Sequence, residues 1–464
     1  MASSLKSASK KVQAFTHEGG LTTKTPSAKE ELARTVSCCM LWEDSFYEDG
    51  VSIAQRIKDL VPQVKPQDVA ALAVHARTKL NLRHAPLMLA REMARLPEYA
   101  KLLPEVLPQV VLRADELAEF LAMYWKEGRC PVSHAVRKGL SKSFHRFSEY
   151  DLAKYNRDKD VKLRDVLRVV HPVPANEEQS AMWKRLKEGT LATPVTWEVE
   201  LSKPGADKKA VWTVLLQEKK LGGLALLRNL RNMQEAGIDR ALVKSALTTM
   251  RTDRILPYRF IAAAKYAPHF EPVLESAMIK CIAGAAKLPG STALLVDVSG
   301  SMQDMLSAKS DMSRLDAACG LAILLREICG EDLRVYAFTT NVETIPLRRG
   351  FALRDAIGKP RGGTSVGACI NQVFSMGPVD RMIVITDEQS SDHVSACPAG
   401  VKGYIVNVGT NQNGVGYTSG WKHVSGWSEA TTAYIASSEG LDVDESGDIP
   451  AAPAAEETPV LLIP

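Results

Sequence analysis

TALLVDVSGSM, residues Thr292 to Met302, decides how the carboxyl-terminal part of the chain is read. Ala293 to Val296 is an apolar run of the kind that forms a strand buried on both faces of a parallel sheet, and Ser299, Gly300 and Ser301 close it with turn residues. Asp297, Ser299 and Ser301 then stand at the strand's carboxyl end, the edge at which open α/β sheets bind ligands. One carboxylate and two hydroxyls within five residues are hard oxygen donors, suited to Mg²⁺ rather than to a soft metal. Taken alone, the triplet also fits a helix N-cap with a structural aspartate.

Two later stretches supply matching pieces. RGGTS, Arg361 to Ser365, places Thr364 behind a glycine pair that lets backbone pass close to a ligand. MIVIT, Met382 to Thr386, is a second apolar run, and it leads into the carboxylate of Asp387. The D-x-S-x-S strand end, the Gly-Gly-Thr loop and the Thr-Asp strand end together resemble the metal-ion-dependent adhesion site of the von Willebrand factor A domain. That resemblance implies a doubly wound α/β domain, which we bound at residues 289–441. It also implies a divalent cation, Mg²⁺ by the donor chemistry, at Asp297, Ser299, Ser301, Thr364 and Asp387. The two serines would ligate directly, and the aspartates would often act through water. An ion held by so little negative charge stays net positive and can recruit an acidic side chain. A helix over Met312 to Cys329, with Leu315, Cys319, Ala322 and Leu325 inward, and strands in LRVYAFT and GYIVNVG suit such a sheet.

The remainder has a different electrostatic character. Residues 1–288 hold 46 Lys and Arg against 33 Asp and Glu, a balance of +13, while residues 289–464 hold 12 against 21, a balance of −9. A basic first part calls for a polyanionic partner, and an acidic second part repels one except through a bound cation. At 464 residues, with 45% hydrophobic and 24% charged residues, the composition is that of a soluble globular protein with two or three domains.

After a tail over 1–24, residues 25–288 read as helix. Ala28 to Trp42 has helical spacing, Pro66 suits a helix start, and Asp115 suits the N-cap of ELAEFLAMYWKE. Pro62, Pro66, Pro86, Pro97, Pro104 and Pro108 interrupt the chain every few turns, the rhythm of stacked helical hairpins in a HEAT-like array. Between Trp125 and Pro174 the chain concentrates cations: Arg129, Arg137, Lys138, Lys142, Arg146, Lys154, Arg157, Lys162, Arg164 and Arg168. Phe144, Phe147, Tyr150, Tyr155 and His171 are interleaved with them. Cations for phosphates and rings for splayed bases are what single-stranded RNA requires. Asp151, Asp158, Asp160 and Asp165 lie among them, so a solvated face laced with ion pairs accounts for the same composition.

LRDVLRVVHPVP (Leu163 to Pro174), the LAKY and AVRKGL segments before it, VWTVLLQEKKLGGLALLRNLRNM (Val211 to Met233) and ILPYRFIAAAKY (Ile255 to Tyr266) resemble the TROVE module of the Ro autoantigen family. FTHEGG and CCMLWEDSFYEDG near the amino terminus do so too. The resemblance covers nearly the whole chain, since Ro proteins join a TROVE part to a von Willebrand factor A domain in this order. It implies a monomeric α-helical HEAT-like ring closed by the A domain. Such a ring binds small noncoding Y-type RNA on a basic outer surface and takes single-stranded 3′ ends of misfolded RNA into its central hole. An RNA-processing protein such as an exoribonuclease is the implied protein partner. The chain departs from the vertebrate pattern at Asp160-Val161-Lys162-Leu163, where a tryptophan-containing turn is missing.

Neither a P-loop nor an H-E-x-x-H zinc motif is present. Gly358-Lys359 is followed by Pro360 rather than by the Ser or Thr of a P-loop, and His17-Glu18 lacks a second metal-binding histidine. No apolar run reaches eighteen residues, and the basic, Ser-rich start has no apolar core of a secretory leader. Eight cysteines without a C-x-x-C pair, Cys38 and Cys39 being adjacent, suit a reducing cytoplasm. The expectation is a cytoplasmic, non-enzymatic RNA quality-control factor. The alternative is an interaction scaffold whose Mg²⁺-dependent site captures an acidic partner residue. Residues 442–464, acidic and rich in Pro and Ala, read as a tail.

Overall fold

The computed structural model describes residues 27–37, 50–78, 82–193, 196–252, 255, 258–281, 287–306, 312–330, 332–409, 420–425 and 430–439. The expected tails, Cys38, Cys39 and the FTHEGG segment lie outside them. Two compact units result. Among the described residues, one comprises 28–281 with 430–439, and the other 287–425. The last helix thus groups with the helical unit rather than with the sheet domain expected over 289–441.

The helical unit begins with α1 (Ala28–Ser37), α2 (Gly50–Leu60), α3 (Pro66–Thr78), α4 (His84–Met93), α5 (Pro97–Ala100), α6 (Leu103–Val110), α7 (Ala114–Tyr124), α8 (His134–Phe144), α9 (Glu149–Tyr155), α10 (Leu163–Val170) and α11 (Glu177–Glu188). These share one core running from Leu32 to Leu186. It continues with α12 (Trp197–Ser202), α13 (Lys208–Gln217), α14 (Gly223–Arg228), α15 (Leu230–Glu235), α16 (Arg240–Thr249), α17 (Tyr258–Tyr266) and α18 (Glu271–Cys281). Proline opens α3 and α5, where its missing N–H has no partner to lose. α10 shows how sequence makes such a helix. Leu163, Val166, Leu167 and Val170 fall at i, i+3, i+4 and i+7 and are buried, which leaves Arg164 and Arg168 away from that stripe. Asp165 accepts from the Lys162 backbone N–H at 3.0 Å to fix the first turn. α6 and α8 approach so closely at Gly139 that a Cβ there would stand 2.7 Å from the Leu103 carbonyl oxygen.

One expected cap is displaced. Arg113, not Asp115, is the N-cap of α7. Asp115 lies in the first turn, with its carboxylate drawn to the guanidinium groups of Arg83 and Arg113 at 2.7 and 2.9 Å. No described helix is long and apolar enough to cross a membrane.

The second unit is a six-stranded sheet of β1 (Thr292–Asp297), β2 (Leu333–Phe338), β3 (Val342–Ile345), β4 (Arg381–Thr386), β5 (Lys402–Asn407) and β6 (Trp421–Ser425), in the order β3-β2-β1-β4-β5-β6. All neighbours run parallel except β2 and β3, whose short hairpin adds an antiparallel edge. The sheet is therefore mixed rather than wholly parallel. β1 and β4 are buried at every position, which is why their middles, Ala293 to Val296 and Met382 to Ile385, are continuously apolar. Of the helices α19 (Arg314–Ile328), α20 (Gly350–Ile357) and α21 (Val366–Ser375), α21 packs Val366, Ile370 and Val373 against Ala293, Leu295, Met382 and Val384. α19 packs on β1, β4 and α20. The final helix is α22 (Ala430–Ser438).

Candidate functional site

β1 has β2 on one side and β4 on the other, so the chain order reverses between β1 and β4, where a crevice opens at the carboxyl ends of α/β strands. Asp297 ends β1, and Thr386 ends β4 beside Asp387. Three loops meet above them. The Gly300 N–H donates to the Gly362 carbonyl at 2.9 Å, and the Arg361 N–H to the Val298 carbonyl at 2.6 Å, which ties the RGGTS loop to the Ser-rich loop. Gly362 takes φ of 66°, open to glycine at no steric cost. The Ser391 N–H and hydroxyl both donate to the Thr364 carbonyl, at 3.1 and 2.8 Å, and so join the loop after β4. All five residues expected for the metal site are thus held around one edge.

Asp297 and Asp387 are fully buried. Asp297 Oδ1 accepts from the Ser299 N–H at 2.8 Å and Oδ2 from the Thr386 hydroxyl at 2.6 Å. Asp387 Oδ1 accepts from the Gln389 N–H at 3.2 Å, and its Oδ2 faces the Arg314 guanidinium at 2.9 Å. Burial pushes the Asp297 carboxyl up to about 7, with the charge of Asp387 adding to the effect and the Ser299 and Thr386 bonds opposing it. Asp387 is raised too, by burial, against the pull of Arg314. Arg314, 2% exposed, was not read from the sequence. It sits in the first turn of α19, where a helix dipole disfavours a cation, and that mismatch is the signal that it needs a carboxylate elsewhere.

The donor set fits a hard cation. Ligands at right angles on an octahedron with bonds of about 2.1 Å lie about 3.0 Å apart, and the Ser299 and Ser301 hydroxyl oxygens are 3.3 Å apart. Both oxygens of Asp297 already accept hydrogen bonds, so this carboxylate is disposed to act through water. Among the described residues no three or more His, Cys, Asp or Glu side chains group to hold a metal.

A model of the TROVE domain matches residues 16–188 and 173–278. The chain belongs to the TROVE domain family. Telomerase protein component 1 of Mus musculus is 28% identical over 241 residues, which cover 49% of this chain and 8% of that much longer relative. The crystal structure of the Deinococcus radiodurans RO (RSR) protein is similar in fold, with a TM-score of 0.61 over 90% of this chain and all of that one, at 18% identity.

Within this TROVE domain the expected RNA-contacting residues separate into two sets. Arg129, Arg137, Lys138 and Arg157 are exposed and make no ion pair among the described residues. Arg129 lies over the Trp125 ring at 5.2 Å, and the half-buried Lys154 over Tyr150 and Tyr155 at 5.5 and 5.8 Å. The others are partly committed. Lys142 pairs with Glu105, Lys162 with Asp158 and Arg168 with Asp165. Arg146 donates to the Val111 carbonyl at 3.0 Å, and Arg164 is half-buried. His171, exposed, ends α10 in the left-handed region at φ 47°. The ion-paired face expected from the interleaved aspartates is therefore real for part of the stretch only.

Proposed function

We propose that this protein is a non-enzymatic, cytoplasmic RNA-binding factor whose helical unit grips phosphates. The observation that carries the reading is the set of exposed cations without ion pairs among the described residues, Arg129, Arg137, Lys138 and Arg157, inside the matched TROVE domain. From the Ro resemblance come the finer parts of the proposal. A small noncoding, Y-like RNA binds a basic outer surface, and single-stranded 3′ ends of misfolded RNA enter a central cavity, in RNA quality control alongside an exoribonuclease.

Paired neutralisations test it. Arg137→Gln with Lys138→Gln should weaken single-stranded RNA binding and flatten the slope of log affinity against log salt by about 1.4, and Lys154→Gln with Arg157→Gln should weaken it and flatten the slope by about 0.7, the share of Arg157. Lys142→Gln with Lys162→Gln should do less, because those ammonium groups already face Glu105 and Asp158. Circular dichroism should not change, since solvated cations contribute little to stability. Equal, negligible effects in all three pairs would reduce the stretch to a solvated face.

We also propose that the sheet unit is a von Willebrand factor A-like domain with a Mg²⁺ site. The support is the pair of converging serine hydroxyls above two buried carboxylates at the strand switch. Ser299, Ser301 and Thr364 would hold the ion directly, with Asp297 and Asp387 placed to act through water. Bound there, the ion would supply a positive charge that captures an acidic partner side chain. Asp297→Ala should lose Mg²⁺ uptake in calorimetric titration while retaining RNA affinity. Equal uptake by both proteins would assign the aspartate to capping alone.

A further inference from the structure

α7, the end of α9 and the loop before α10 enclose a pocket of about 390 Å³, at the lower end of the roughly 300–1,000 Å³ typical of ligand sites. Ala118, Ala122, Met123 and Val161 give it an apolar lining, and Tyr155 contributes a ring. Asp115 also lines it and is only 6% exposed. Both guanidinium bonds to Asp115 fall on Oδ2, while the buried Oδ1 accepts no hydrogen bond. A buried carboxylate oxygen without a donor is costly, so the geometry favours a ligand that brings an N–H. Lys126, Arg157 and Lys159 also belong to the lining, as do Glu119 and Asp160; Lys159 pairs with Glu119 at 3.5 Å, whereas Arg157 is exposed without an ion pair among the described residues. His84 completes the wall. Burial first, then Arg83, holds its imidazole below the ordinary range, so the ring is neutral at neutral pH.

An apolar slot with aromatic and imidazole rings, one acceptor lacking a donor and one cation without an ion pair among the described residues matches a flat heteroaromatic group carrying N–H donors and a phosphate. We propose that this pocket receives a single nucleobase of the bound RNA, hydrogen-bonded to Asp115 and with its phosphate held by Arg157. The inference rests on the RNA-binding reading and deepens it. A phosphotyrosine peptide would also supply a planar ring and a phosphate, but its ring carries no N–H for the Asp115 oxygen that lacks a donor.

Calorimetry on the full chain with 5′-AMP, 5′-GMP and adenosine, alongside fluorescence anisotropy with a single-stranded RNA dodecamer, tests the assignment. Ala122→Trp fills the slot from an exposed position, so the fold should survive. It should weaken both mononucleotides and the dodecamer by about tenfold, on the order of one stacked base. Adenosine should bind more weakly than 5′-AMP, and Arg157→Gln should remove that difference. If the dodecamer binds wild type and Ala122→Trp equally while neither mononucleotide binds, the pocket assignment falls and the RNA reading stands. If the mononucleotides bind but the dodecamer does not, the pocket stands without the RNA reading that it was meant to serve. A wild type that binds none of these ligands would overturn both.

Discussion

Glu116→Ala should destabilise the helical unit by about 3–5 kcal/mol, the cost of removing one partner from a buried ion pair. Glu116 is fully buried, and its carboxylate is the hub of the α3–α7 contact. Its two oxygens lie 2.8 and 3.1 Å from Arg77 Nη2, and Arg83 Nε stands 3.3 Å away. The backbone N–H groups of Leu112 and Arg113 donate to Oε2 at 2.8 and 3.0 Å, which covers two donors at the start of α7. Alanine would strand the Arg77 guanidinium, whose other bonds are to the Val110 and Leu82 carbonyls, together with both amides. Glu116→Gln keeps an acceptor for the amides and removes only the charge, so its loss should be intermediate. Urea denaturation followed by circular dichroism reads the difference, and the second unit should melt separately and unchanged. A loss below about 1 kcal/mol, the scale of a solvated pair, would contradict the hub.

What the sequence discloses depends on how local its cause is. TALLVD and MIVIT are legible because a strand covered on both faces must be apolar throughout, and β1 and β4 are buried at every position. β3 is not legible. It has four residues, VETI, of which only Ile345 is buried, and its edge position requires no pattern. β6 at the other edge is not legible either, although it buries Trp421 and Val424. LRDVLRVV shows its buried stripe directly, whereas the cap of α7 does not. Asp115 is a good capping residue, and only the folded positions of Arg83 and Arg113 explain why its carboxylate turns elsewhere. At the proposed metal site the five oxygen-bearing residues follow from short motifs at strand ends. Arg314 does not, because it meets Asp387 across 73 positions of chain. The basic stretch is divided by contacts of the same long-range kind. Lys142 finds Glu105 37 residues away, a pairing that composition cannot reveal.

The central claim is that unpaired cations of the helical unit bind RNA through its phosphates. If Arg129, Arg137, Lys138 and Arg157 each neutralise one phosphate of a single strand, log affinity should fall against log salt with a slope of about −2.8. Raising monovalent salt from about 50 to about 200 mM would then weaken binding about fiftyfold. Steeper values would mean that the partly committed Lys154, Arg164 and Arg168 join in. The decisive measurement is fluorescence anisotropy of a labelled single-stranded RNA dodecamer across that salt range, with a chelator present so that the cation site proposed for the sheet unit takes no part. The account predicts a linear decline with a slope of −2.8 or steeper, and an affinity that does not vary with salt would contradict it.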